Sequence, residues 1–130
     1  PLTTYGRTIK VAEEILHDFA AAGLINFAIL RHFNVAGADP NGRLGDRFEP
    51  ATSCLQQMLE VAAGKRKEFI LYGNDYRTAD GSYCRDYLHV NDLCNAHLLA
   101  LRAMLKGKAQ QTFNLGNARG YTLKQLVSAV

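Results

Sequence analysis

Gly73-Asn74-Asp75-Tyr76-Arg77-Thr78-Ala79-Asp80-Gly81-Ser82-Tyr83-Cys84-Arg85-Asp86-Tyr87-Leu88-His89-Val90 is a turn-rich loop that runs into an alternating segment. Arg85, Tyr87 and His89 alternate with Asp86, Leu88 and Val90, the period-two pattern of a strand with two different faces. Upstream, Glu68-Phe69-Ile70-Leu71-Tyr72 reads as a second strand, so the loop between the two is longer than a packing connection needs. Long ordered loops on a scaffold are where binding is usually placed, and Arg85 at the loop's exit is set up to hold an anion.

Working outward, helical periods alternate with short apolar runs. Val11, Ile15, Phe19 and Ala22 recur at helical spacing opposite Glu13, Glu14, His17 and Asp18, and Gly23 ends that helix. Residues Asn26 to Phe33 read as a buried strand. Leu55, Met58, Leu59 and Ala62 form a second helical stripe closed by Gly64. A third helix starts near Asn91 or Asp92, either of which caps it, and is apolar almost all round through Leu105, which predicts deep burial. Thr112 to Leu115 is a short strand, and Thr122-x-x-Gln125 is a capping box opening a last helix. Strands separated by helices predict an α/β fold with a largely parallel sheet.

Composition fits an ordinary globular domain, with 48% hydrophobic and 21% charged residues. No apolar run approaches the length of a membrane span, so no membrane contact is expected, and the expected location is cytoplasmic. Cys54, Cys84 and Cys94 have neither disulfide-scaffold nor zinc spacing and are expected to be reduced, with no metal site. A net charge of +3 is too small and too dispersed to argue for nucleic acid. Lys65-Arg66-Lys67 is the only basic cluster and follows a helix end, where cations are favoured anyway.

The pattern GNDYxTxDGxxxRDYLHV resembles the signature of UDP-galactose 4-epimerases within the extended short-chain dehydrogenase/reductase family. Tyr5-Gly6-Arg7-Thr8 with Glu13-Glu14-Ile15-Leu16 resembles that family's catalytic helix. Leu30-Arg31-His32-Phe33-Asn34 with Gly37-Ala38, and Phe113-Asn114-Leu115-Gly116 with Gly120-Tyr121, resemble later segments. Sister dehydratases and decarboxylases share the Arg-Asp strand but usually carry a shorter loop before it, so the long loop favours the epimerases.

The resemblance implies part of an NAD-binding Rossmann-type fold, mostly its substrate-binding part, with residues 1–130 as a single partial domain. No Gly-rich dinucleotide fingerprint occurs; Gly37, Gly42 and Gly45 do not open a helix after a strand. An interior piece of a larger enzyme, inactive by itself, is therefore expected. The implied activity is interconversion of UDP-galactose and UDP-glucose by transient oxidation at C4, with NAD as cofactor, a UDP-sugar as substrate and a homodimer as the assembly. A non-catalytic remnant is the alternative, and another nucleotide-sugar epimerase or dehydratase is a further one.

By the same resemblance, Tyr5 is the general base that takes the sugar 4-hydroxyl proton. A phenol, with a reference pKa near 10, needs nearby positive charge for that work. Phe33 lies beside the nicotinamide and Asn34 hydrogen-bonds the nucleotide sugar. Ser53 and Cys54 fall beside the diphosphate and base, where the family commonly has Asn-Leu or His-Leu. Ser53 then either donates one hydrogen bond or only caps the following helix. Backbone groups of Ile70 and Tyr72 face the uracil, and Arg85 grips the diphosphate with its guanidinium fork. His32, His89 and His17 receive no catalytic role.

One position departs sharply from the family's Tyr-x-x-x-Lys. Residues four apart lie about 40° from each other round a helix, and that fifth position is Ile9. Lys10 lies about 140° round from Tyr5. Either the lysine is replaced, or the helix starts irregularly enough to bring Lys10 round.

Overall fold

Thr3 opens the first helix as the periodicity requires: its extended backbone and its hydroxyl, which accepts the Gly6 amide at 3.0 Å, satisfy an N-terminal donor. The computed structural model describes residues 1–46, 50–108 and 110–130. In chain order the elements are α1 (Thr4–Ala21), β1 (Ala28–His32), β2 (Asn34–Ala36), α2 (Cys54–Ala62), β3 (Cys84–His89), α3 (Val90–Leu105), β4 (Gln111–Leu115), β5 (Gly120–Thr122) and α4 (Leu123–Ala129). They form two compact units, Pro1–Arg31 with Leu93–Leu115 and His32–Asp92 with Gly116–Val130.

In the first unit, α1 ends where Gly23 adopts φ +73°. The Gly23 and Leu24 amides then close back on the carbonyls of Ala20 and Phe19 at 2.9 and 3.0 Å. The same reversal at Gly64 and Gly107 ends α2 and α3. β1 pairs with β4, and the Phe27 carbonyl just ahead of β1 accepts the Gln110 amide at 3.0 Å. Phe27 and Ala20 are buried, with the His17 ring edge-on to Phe27 at 4.8 Å. Arg31 makes a two-pronged ion pair with Glu13, which holds the Glu13 carboxyl below its ordinary value and ties β1 to α1.

In the second unit, β2 runs parallel to β3, with Asn34 opposite Tyr87 and Ala36 opposite His89. β5 runs antiparallel on β3, with Arg85 opposite Tyr121. Met58, Leu88, Leu123 and Ala51 are its buried apolar side chains. α4 opens on the expected capping box, Thr122 and Gln125 each accepting the other's amide at 3.3 and 2.9 Å.

Five expectations are corrected. The sheet is not one largely parallel layer but a two-stranded and a mixed three-stranded one. Asn26 to Phe33 is not one buried strand: Phe33 falls between β1 and β2, and β1 is half-buried to exposed. Residues 68 to 72 form no strand, because a strand is defined by its partner and none lies beside them among the described residues. α3 has no buried residue, and Leu98, Leu99, Leu101 and Leu105 are exposed. It starts at Val90, with His89 rather than Asn91 or Asp92 at its head: the Asn91 amide donates to His89 Nδ1 at 3.1 Å.

Gly81 sets the loop that precedes β3. Its φ is +77°, and a Cβ there meets the Asn74 carbonyl oxygen at 2.2 Å. Gly81→Ala is therefore expected to cost about 3 kcal/mol or more, since left-handed strain and a backbone clash add. Gly23→Ala, with nothing within 4 Å, costs only the strain, about 1–2 kcal/mol. Urea melts of the two variants check the difference.

Candidate functional site: an anion-receptive face on the second unit

Arg85, at the second position of β3, shares one face of the ribbon with Tyr83 and with its cross-strand neighbour Tyr121. Its guanidinium lies 5.4 Å from the Tyr83 ring centroid. Among the described residues it has no carboxylate partner, because Asp86 points to the opposite face and is occupied there. Asp86 accepts the Asn117 and Ala118 amides at 3.1 and 3.0 Å, holding the turn in which Ala118 takes φ +54°.

The start of α2 comes to the same face. Ser53 is the N-cap: its hydroxyl accepts the Gln56 amide at 3.1 Å, which settles its local role as the cap. Cys54 Sγ lies 3.5 Å from the Tyr87 hydroxyl. Burial first, then the Cys54 contact, pushes Tyr83 up to about 12 and raises Tyr87 as well. Both phenols stay protonated near neutrality and add no negative charge to this face. A guanidinium without a carboxylate partner among the described residues, uncharged phenol rings and the positive end of a helix together form a surface suited to an anion.

Of the other sequence-derived residues, Asn34 is brought in by register, since it pairs with Tyr87 and shares its face. Phe33 is exposed and packs against the Gly116 backbone, where a Cβ would meet its ring at 2.6 Å. Ile70 and Tyr72 border a cavity of about 260 Å³ with Gln57, Arg66, Lys67 and Glu68. Gln57 lies one turn along α2 from Cys54, so cavity and anion face meet on the same helix. Arg66 is already paired with Glu60 at 3.1 Å.

Tyr5 stands in the first unit, 76% exposed on the opening turn of α1. That helix starts regularly, the Arg7 amide reaching the Thr3 carbonyl at 3.0 Å. No irregularity brings Lys10 round. Ile9 sits one turn on from Tyr5, and Lys10 pairs with Glu14 at 3.4 Å. The Tyr5 ring of the first unit is exposed, as is the Phe33 ring of the second, and no fingerprint in these residues cradles a dinucleotide pyrophosphate. Among the described residues no group of three His, Cys, Asp or Glu is placed to hold a metal, and no helix is long and apolar enough to cross a membrane.

Residues 1–116 match the sequence profile of the NAD dependent epimerase/dehydratase family. The chain belongs to that family. It is 42% identical over 127 residues to the UDP-glucose 4-epimerase of Halalkalibacterium halodurans, covering 98% of this chain and 38% of that protein. The crystal structure of UDP-glucose 4-epimerase from Brucella ovis in complex with NAD superimposes with a TM-score of 0.90 at 39% identity, over 99% of this chain and 40% of that one. The epimerase from Stenotrophomonas maltophila, with bound NAD and formylated UDP-arabinopyranose, gives 0.90 at 38% identity over 98% and 39%. This family member therefore spans about 40% of the length of the relatives it matches. Its α/β fold is that of a portion of the NAD-binding epimerases.

Asp80 is the residue that sequence reasoning passed over. Its carboxylate accepts the Ser82 amide at 2.9 Å, the Ser82 hydroxyl at 2.7 Å and the Thr122 hydroxyl, while its carbonyl accepts Lys124 Nζ at 2.6 Å. The Thr122 and Ser82 hydrogen bonds lower its pKa to about 2. A folded value below the unfolded one, near 3.9, means the stabilisation is complete above about pH 4 and is lost as pH falls toward about 2. Asp80→Asn is expected to flatten the pH dependence of unfolding across that window. Melts at stepped pH of both forms check it, and equal slopes contradict it.

Proposed function

We propose that the anion-receptive face takes the diphosphate of a UDP-sugar, with Arg85 as its charged grip. The observation that carries this reading is the Arg85 guanidinium, without a carboxylate partner among the described residues, on the strand face whose Tyr87 meets Cys54 at the start of α2. Ser53 and Cys54 border the diphosphate, Asn34 hydrogen-bonds the sugar side, and the uracil lies by Ile70 and Tyr72. The names of the relatives and the ligands in their crystals support this reading. Residues 1–130 then make up a partial domain that carries a catalytic helix and the nucleotide-sugar-binding part.

The reaction is interconversion of UDP-glucose and UDP-galactose. Tyr5 takes the proton from the 4-hydroxyl as C4 is oxidised, and returns it when the turned keto sugar is reduced on its other face. Bound NAD supplies the hydride acceptor and donor for C4. Phe33 flanks the nicotinamide, and the pyrophosphate is held by residues outside this chain. A cytoplasmic location is part of the same reading.

A second reading, a nucleotide-sugar binder that turns over slowly or not at all, is favoured by one observation. The family's lysine position beside Tyr5 holds Ile9, and Lys10 is engaged with Glu14. We also propose a homodimer through α1, whose Ile9, Val11, Ile15 and Phe19 are exposed.

In the full-length protein containing residues 1–130, Arg85→Ala is expected to weaken UDP binding by about 2–4 kcal/mol, because a charge-assisted bidentate partner is lost. Calorimetry reads this, and unchanged affinity with a lowered melting temperature makes Arg85 structural instead. Tyr5→Phe is expected to abolish epimerisation. Ile9→Lys, by placing a cation one turn from the phenol, should raise turnover and move the rising limb of the pH–rate profile to lower pH. No gain from Ile9→Lys, with a large loss on Lys10→Ala, reverses that assignment. Ile15→Glu should convert a dimer to a monomer in light scattering, and a monomer before substitution excludes the dimer.

A further inference from the structure

Arg85 is a long, exposed side chain at the head of a strand, without an ion pair to fix it among the described residues. What it touches is the ring of Tyr83, 5.4 Å from the guanidinium carbon. That ring is itself held from several sides. The Tyr76 ring meets it edge-on, with centroids 6.1 Å apart and planes at 75°. The Tyr83 carbonyl accepts the Leu123 amide at 3.0 Å. Tyr83 is thus anchored to the 73–83 loop and to the head of α4, while presenting a face to the arginine.

We propose that Tyr83 is a positioning residue for anion binding, its ring serving as a platform that holds the Arg85 guanidinium in a receptive orientation. This rests on the reading of Arg85 as the diphosphate grip. The physical basis is twofold. The negative face of the ring attracts the cation without neutralising it, so the charge stays available to a phosphate, as it does not in an ion pair with a carboxylate. A guanidinium drawn over a ring face is confined on that side while its N–H donors stay available to an anion, and less freedom is lost when the anion arrives. Tyr76 acts one step further out by steadying the platform, which links the long loop to the affinity of the site.

The test uses the full-length protein and UDP binding by calorimetry, with KM and kcat for UDP-galactose alongside. Tyr83→Phe, which keeps the ring, should bind UDP within about twofold of the parent, whereas Tyr83→Leu should bind about tenfold more weakly. KM should rise while kcat holds. In the Arg85→Ala background, Tyr83→Leu should have no further effect, because its influence passes through the missing guanidinium. Should Tyr83→Leu fail to fold, fluorinated phenylalanines at position 83 keep the shape while weakening the ring's negative face, and affinity should fall with each added fluorine. Additive losses in the double variant, or affinity indifferent to fluorination, overturn the platform. If Arg85→Ala leaves UDP binding unchanged, the diphosphate reading falls and the platform with it. If Arg85→Ala weakens binding and Tyr83→Leu does not, only the platform falls.

Discussion

The Asp80 carboxylate is the constraint on which the second unit depends. It satisfies the Ser82 amide, the Ser82 hydroxyl and the Thr122 hydroxyl at once, and Ser82 is fully buried. The Ser82 hydroxyl oxygen in turn accepts the Lys124 amide at 3.2 Å, one of the free donors at the head of α4. A loop otherwise free to wander is thereby fastened to the β5–α4 junction on the residue before Tyr83. Because the charge is spread over several hydrogen bonds, no single cation is needed to hold it there. Everything that faces the proposed ligand on β3 takes its position from that fastening, Tyr83 and Arg85 first.

The two faces of β3 divide the labour. One face carries Asp86, which is spent on holding the 117–118 turn, with the Asn117 side chain donating to the Tyr87 carbonyl at 2.5 Å. The other carries Tyr83, Arg85 and Tyr87, and the charge among these three is the guanidinium. Alternation in a strand keeps the carboxylate and the arginine apart even though they are sequence neighbours. Had they shared a face, an ion pair would have silenced the arginine. Tyr83 and Tyr87, raised by burial and by Cys54, add no negative charge to that face.

What was legible in the sequence was local. The helices over α1 and α2, their glycine ends, the Thr122–Gln125 box and the alternation of β3 depend on residues within a few positions of each other. Arg85 was singled out by its place at the exit of a long loop and Asn34 through resemblance, and register adds only that Asn34 lies opposite Tyr87. The misread features all depend on distant partners. Glu68 to Tyr72 has strand composition but no neighbouring strand, and the sheet's division follows from pairings that periodicity does not encode. An apolar circumference on α3 reports which residues prefer burial, not whether something covers them. Asp80 was passed over because its main partner, Thr122, lies 42 residues away.

α1 shows how a regular helix start sharpens a chemical question. With Thr3 capping and the Arg7 amide already bonded to the Thr3 carbonyl, the angular position of each later side chain follows from the pitch alone. Tyr5 and Ile9 then share a stripe, while Lys10 is turned away and answers Glu14 one turn further on. On the proposed reading, an isoleucine in that place adds no charge and no donor beside Tyr5, so a cation that assists proton removal there would have to come from another part of the assembled protein. The proposed grip, Arg85, has no carboxylate partner among the described residues, while the proposed base has no cation one turn away, so the two halves of the proposed chemistry are separable by substitution.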